Sequence, residues 1–208
     1  MKNFIKSFIP KKYKTYFKKF RKFNALNDLD KKMLKYINYN NGFYIECGAN
    51  DGVDQSNTWY FEKYKNWNGI LIEPIPRIFY ELKKNRDIKN IFINKCLCAD
   101  TYEKKFINIL DEDMLSKINE IKGTPLPAST LTNVLNECNA PKFIDFFSLD
   151  VEGSEFDVFE GTDFKKYVFK YLLVESKNLD RLNSYLTPKN YSFTEQLSSG
   201  DWLFKYKD

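Results

Sequence analysis

The apolar residues of this 208-residue chain keep two periods in turn, and the alternation lays out its elements. Short runs of aromatic, β-branched and leucine side chains at 43–45, 69–72, 91–93, 143–149 and 171–174 read as buried strands. Between them the spacing widens to three and four. Leu29, Met33, Leu34 and Ile37 give a helix from Asn27 that ends before Gly42. Tyr60, Phe61 and Tyr64 mark the inward side of a second, starting near Ser56 or Asn57. Phe79, Leu82 and Lys83 belong to a third, Leu131, Val134, Leu135 and Cys138 to a fourth, and Leu179, Leu182 and Leu186 to another. A short helix capped by Ser154 and closed by Gly161 follows the fourth strand. Residues 105–110 read as an extra strand and 123–127 as a loop over the site. The chain ends in YSFTEQ, LSSG and DWLFKY, two alternating runs about a glycine turn and therefore a hairpin.

This order predicts an α/β fold: five parallel-type strands plus a C-terminal antiparallel hairpin, with right-handed crossovers and helices on both faces. In such a sheet the fourth strand lies beside the first, and ligands sit at the strands' carboxyl ends. The length suits one domain, 25–208, after a separate segment at 1–24.

Charge sets that segment apart. The chain carries +5 overall, yet residues 1–23 hold nine Lys or Arg and no acid, leaving 24 basic against 28 acidic residues. The body thus has no excess that suggests nucleic acid. In the segment, cations interleave with Phe4, Ile5, Phe8, Ile9, Tyr13, Tyr16, Phe17, Phe20 and Phe23 on either side of Pro10, which suits two short amphipathic helices. They either lie on an anionic membrane surface or pack on the domain with their charges solvated. No run of eighteen apolar residues and no secretory signal is present, so the expected location is cytoplasmic, at most at the inner face of a membrane. Cys47, Cys96, Cys98 and Cys138 lack disulfide or zinc spacing and read as reduced, mostly buried thiols. Histidine is absent, which removes Ser-His and Cys-His nucleophile pairs; carboxylates, lysines, hydroxyls or a cofactor must carry any chemistry.

Two stretches carry candidate chemistry. In GFYIECGANDG a strand runs into a loop with Gly48 and Gly52, where the backbone can turn at positive φ and approach a ligand. Glu73 ends the next strand, where an acid accepts hydrogen bonds from a ribose diol. Asn50 stands where a dinucleotide loop has its second glycine, favouring a nucleoside without a diphosphate. S-adenosylmethionine fits, its carboxylate tail near the amino end of the following helix. In SLDVEGSEFDVFEG, Asp150 and Glu152 leave the fourth strand, and Glu175 ends the fifth beside them. These three acids could hold a divalent cation, or one could act as general base; Glu152 and Glu155 could instead only orient backbone.

IECGANDGVDQSNTWYFEK, GILIEPIP and FFSLDVEGSEFDVFEG, in this order over residues 40–176, resemble the FkbM-type methyltransferases. The resemblance implies a Rossmann-like seven-stranded sheet and S-adenosylmethionine as cofactor. It places Glu46, Gly48, Asn50, Gly52 and Glu73, with Pro74, at the cofactor. The stretch with Ser56 and Asn57 would lie by its methionine part, and Cys96 and Leu97 by its adenine, with Asp150 also in reach. Glu46-Cys47 departs from the Asp-Val frequent in the family but keeps the acid. Members commonly methylate hydroxyls of sugars or secondary metabolites, so the expected activity is O-methylation of a glycan hydroxyl, with Asp150, Glu152 and Glu175 catalytic. Metal use varies in the family and is left open. A nicotinamide-dependent oxidoreductase and a non-catalytic binding protein remain as alternatives. An N-methyltransferase would ordinarily show an Asn-Pro-Pro-Tyr type motif after the fourth strand, and none is there.

Overall fold

The computed structural model describes residues 11–110, 117–118 and 123–207. Its centre is a seven-stranded sheet of β1 (Phe43–Cys47), β2 (Asn68–Ile72), β3 (Ile91–Ile93), β8 (Phe143–Leu149), β9 (Val168–Glu175), β10 (Tyr191–Gln196) and β11 (Asp201–Tyr206). The order is β10-β11-β9-β8-β1-β2-β3. The strands from β3 to β9 run parallel, and β11 pairs antiparallel with both β9 and β10. The predicted hairpin and the predicted neighbourhood of the first and fourth strands are both present.

Period-two alternation divides the strand side chains between two layers. Ile45, Cys47, Ile70, Ile72, Phe147, Leu149, Leu172 and Val174 face one side, under α5 (Leu131–Glu137), α6 (Glu155–Glu160) and α7 (Leu179–Leu186). Tyr44, Leu71, Phe146, Tyr171 and Leu173 face the other, under α2 (Leu29–Met33), α3 (Trp59–Lys65) and α4 (Pro76–Asn85). Strands buried on both faces explain why the sequence shows near-continuous apolar runs. Among the described residues no helix is long and apolar enough to cross a membrane. All four cysteines are free thiols, three of them buried.

Several expectations change in detail. The helix from Asn27 is a 3-10 turn followed by one short α-helix, because Asn27 and Asp28 adopt left-handed backbone. Leu29, Met33 and Ile37 are buried as predicted. Tyr64 is 49% exposed and stacks on the ring of Tyr60 instead of pointing inward. Ser154 makes no capping bond. The Glu155 carboxylate accepts from the Gly153 N–H at 2.7 Å.

A second, four-stranded sheet lies between β3 and α5: β4 (Cys96–Leu97), β5 (Phe106–Leu110), β6 (Lys117–Ile118) and β7 (Thr124–Ser129), in the order β4-β7-β5-β6. β5 is the predicted extra strand. β7 overturns the loop expected at 123–127. Pro125 and Pro127 pair only with β5, since β4 meets β7 at Ala128 and Ser129, so their missing N–H groups leave no ladder bond unmade on the far side. Preceding all of this, α1 (Lys11–Lys18) realises the second helix of the basic segment; the one expected before Pro10 lies outside the described residues.

Candidate active site

The loops after β1, β2 and β8 are tied into one rim by backbone bonds. Gly48 and Ala49 donate to the Ile72 carbonyl at 3.1 and 3.0 Å, and Asp150 N–H donates to Cys47 at 3.2 Å. Gly48 has φ +77, and a Cβ there would lie 1.8 Å from the Asp150 carbonyl, so no other residue fits this crossing. Above the rim opens a cleft of about 1150 Å3, counting its mouth.

Glu73 stands at the carboxyl end of β2 and is buried. Its Oε2 accepts from Asn50 N–H at 3.0 Å and its Oε1 from Ile75 N–H at 2.9 Å. Two backbone donors on one carboxylate fix its plane and stabilise its charge. Asn50 reaches this contact in left-handed backbone, φ 49. Gln55 and Glu152, also on the cleft, take φ 63 and 53. Outside glycine and asparagine such backbone costs about 1 kcal/mol or more per residue, and it concentrates at functional rims.

Of the predicted site residues, Gly48, Asn50, Ser56, Glu73, Pro74, Cys96, Leu97, Asp150 and Glu152 line the cleft. Glu46, Gly52, Asn57 and Glu175 are not in its lining. Glu46 is turned away by the pleat: two residues beyond Tyr44, it points into the layer under α3. There it accepts from Asn57 N–H at 2.7 Å, Thr58 Oγ1 at 2.6 Å and Ser56 Oγ at 3.0 Å. Asn57 donates its amide to Ser148 at 2.9 Å. Ser56 Oγ also accepts from Thr58 and Trp59 N–H groups, so the amino end of α3 is already occupied by protein and does not present itself to a carboxylate tail.

Sequence reasoning missed the cation that holds this layer together. Arg86, fully buried after α4, donates through Nε to Glu62 at 2.6 Å and through Nη1 to Glu46 at 3.4 Å. The same guanidinium donates to the Gly52 carbonyl at 3.1 Å and to Tyr44 at 2.7 Å. Burial alone would raise Glu62, but Arg86 and Lys63 hold its carboxyl down to about 2. One signal was available: arginine is rare in a chain whose cations are nearly all lysine, and a planar five-donor group suits a buried site with several acceptors.

At the opposite edge of the cleft the charges are alike. Burial, then a hydrogen bond with Glu175, then the charges of Glu175, Glu152 and Asp201 push the Asp150 carboxyl well above the ordinary carboxylate range. Two carboxyl groups in contact share a proton, so Asp150 holds it at neutral pH and Glu175 accepts. Asp201, paired with Glu175 across β11 and β9, is a further acid here; burial raises it, although the Ser198 hydroxyl donates to it. Asp150, Glu152 and Glu175 do not form a metal-ligating group among the described residues.

The remaining wall is apolar. Ile75, Ile78, Leu97 and Val158 line it with Cys96, and the second sheet adds Ile109. Burial and the charge of Glu73 push the Cys96 thiol up to about 12, so it packs as a neutral group. The parts of S-adenosylmethionine find matching chemistry in this cleft. A fixed acid suits the ribose diol, apolar walls suit the adenine, a glycine admits close backbone approach, and the acidic edge at Asp150, Glu152 and Glu175 suits a sulfonium.

A model of the methyltransferase FkbM domain matches residues 46–193. A search of curated protein sequences finds no match. Among solved structures, the methyltransferase FkbM from Methylobacillus flagellatus KT is 15% identical with a TM-score of 0.50, over 80% of this chain and 44% of that one. The METTL16 MTase domain is 12% identical with a TM-score of 0.52, over 88% of this chain and 66% of that one. The fibrillarin/Nop5p complex gives 8% and 0.50, over 88% and 81%. At these identities the likeness is one of fold, and the chain spans less than half the length of the FkbM structure. The domain match covers most of the chain, and the strand order, glycine loop and strand-end acid agree with it. The chain belongs to the FkbM methyltransferase family, whose cofactor is S-adenosylmethionine.

Proposed function

We propose that the protein is a cytoplasmic O-methyltransferase that methylates a sugar hydroxyl of a glycan. The observation that carries this reading is the carboxyl pair Asp150–Glu175 beside the cofactor cleft. A neutral hydroxyl loses its proton when it gains a methyl group, so it needs a nearby acceptor with negative charge to spare. The pair keeps one proton and one negative charge, which orients an acceptor O–H and takes up its hydrogen. Asp150, the first choice from sequence, does not act as a free carboxylate at neutral pH; the base is the pair.

Asn50, Asp54, Gln55 and Ser154 add amide, carboxylate and hydroxyl groups to the same opening. Such a rim suits the hydroxyls of a sugar better than an apolar acceptor. Bound S-adenosylmethionine supplies an electrophilic methyl on its sulfonium. Glu73 would hold the ribose, Ile75, Ile78, Leu97 and Ile109 the adenine, and the Gly48–Asn50 backbone the tail; the rim aligns the acceptor and keeps water out. Four free thiols accord with a reducing compartment.

The test is S-adenosylhomocysteine formation with a panel of sugars, sugar nucleotides and oligosaccharides. A product bearing a methyl ether is expected. Glu73→Gln should weaken S-adenosylhomocysteine binding by about tenfold or more, the scale of hydrogen bonds to a charged group. Cofactor uptake with no turnover on any hydroxyl, or a methyl group found on nitrogen, would overturn the reading.

A further inference from the structure

Among the described residues, the basic segment meets the domain through one side of α1 and through the turn that follows it. Thr15 Oγ1 donates to Asp51 Oδ2 at 2.9 Å, and Lys18 pairs with Asp54, both acids of the glycine loop. The turn after the helix is tied down as well: Asn24 donates its amide to the Lys18 carbonyl at 3.1 Å, and Trp59 Nε1 donates to the Arg21 carbonyl at 3.2 Å.

Away from these contacts, two rings of α1 and one of the turn after it stand in solvent. Tyr16, Phe17 and Phe20 are 56%, 60% and 72% exposed. Tyr16 packs edge-on against both phenylalanines, with ring centroids 5.8 and 5.4 Å apart, so the three form one aromatic patch. Three large rings gathered in water are unfavourable unless something covers them. Cations follow the patch along the chain: Lys19 and Arg21 are exposed, and Lys22, also exposed, reaches over the rings of Phe23, Tyr60 and Tyr64. Tyr16 and Phe17 also border a groove whose far wall carries Arg77 and Lys84 of α4, Lys84 paired with Glu81 at 3.0 Å. Residues 1–23 themselves contain no acid. Exposed rings with lysines and arginines next to them match the boundary between acyl chains and anionic headgroups.

We propose that α1 seats the enzyme on an anionic lipid bilayer, with Tyr16, Phe17 and Phe20 in the interface and the flanking cations on headgroup phosphates. The underside of the same helix holds the loop that lines the cofactor cleft. The bilayer therefore lies next to the active site, where a lipid-carried acceptor would be presented. Docking is read from lipid and not from methyl transfer, so it stands or falls apart from the identity of the acceptor.

The experiment is flotation of the full chain with vesicles of phosphatidylcholine alone and with about a third phosphatidylglycerol, at low and high salt. The triple variant Tyr16→Ser, Phe17→Ser, Phe20→Ser is compared with the parent. Binding to anionic vesicles that weakens with salt is expected, and the triple variant should lose at least about tenfold in partition, since burying even part of a phenylalanine ring contributes more than 1 kcal/mol. Equal S-adenosylhomocysteine affinity of the two proteins certifies that the variant folds. Equal flotation of the two proteins, no preference for anionic vesicles, or rings that serve only self-association in sedimentation would each overturn the proposal.

Discussion

Two clusters of charge flank the cofactor cleft, one buried and one half-open to solvent, and they are built on opposite rules. Beneath the rim, Glu46 and Glu62 converge on Arg86, and every oxygen and guanidinium nitrogen in contact has a partner of complementary character. At the edge of the cleft, Asp150, Glu175 and Asp201 gather; only acids act on Asp150, and the one cation acting on Asp201 is Lys32. The first arrangement neutralises what it buries. The second leaves like charges to share protons, and so keeps a group able to give or take one. The compensated cluster is scaffold for the glycine loop, and the uncompensated one is placed for chemistry.

The comparison breaks most visibly at Arg86. Arg86→Met leaves Glu46 and Glu62 buried with only Lys63, which pairs with Glu62 at 2.8 Å from the rim of the layer, and losing one member of a buried ion pair costs about 3–5 kcal/mol. That is a large part of the 5–15 kcal/mol typical of a whole domain, so the variant should unfold far earlier in urea or fail to fold. Arg86→Lys should recover little, because one ammonium cannot reach Glu46, Glu62, Gly52 and Tyr44 together. A loss below about 1 kcal/mol in urea titrations would mean that the layer is not held by this cation.

Asp150→Asn sharpens the other half, with an effect of the opposite sign. The folded Asp150 holds its proton more tightly than the unfolded chain does. Wild-type stability therefore falls as pH rises from about 4, the unfolded value, through the raised folded value. Asparagine keeps the donor to Glu175 and cannot ionise. The variant should match wild type near pH 4 and gain on it steadily as pH rises toward the raised folded value, while methyl transfer falls. Thermal melts across this range test it: a variant less stable than wild type at pH 8 would show that Asp150 is not under like-charge strain.

The legible and the illegible parts of this chain differ for the same physical reasons. Strands buried on both faces advertise themselves as apolar runs, and Phe143–Leu149 emerges with the bounds that the pattern gives it. Glu73 was legible because a strand end, a loop and a helix follow one another locally. Glu46 looked equivalent, yet the pleat of β1 turns it to the helix layer, and period alone does not say which face is the ligand's. Arg86 stayed hidden because its partners lie 24 and 40 residues away, and a cation in KKNRD reads as solvated. The second sheet escaped because TPLPAS carries two prolines, which read as a loop until the partial pairing of β7 shows why they are tolerated.

Cys96 gives the smallest expected effect and the closest look at the neutral wall between the two clusters. Its thiol sits on the cleft beside Glu73 and is pushed up to about 12 by burial and by that charge. If it serves only as an apolar wall, Cys96→Ser should change S-adenosylhomocysteine affinity by less than about threefold, a few tenths of a kcal/mol. The same elevation makes the thiol inert: at pH 8 its iodoacetamide labelling should run about a thousandfold slower than that of an ordinary cysteine, because so little thiolate exists. The labelling rate should climb tenfold per pH unit up to about pH 11, provided the fold survives. Fast labelling at neutral pH would place a positive influence beside Cys96 and remove the contrast between a neutral wall and the charged edges on either side of it.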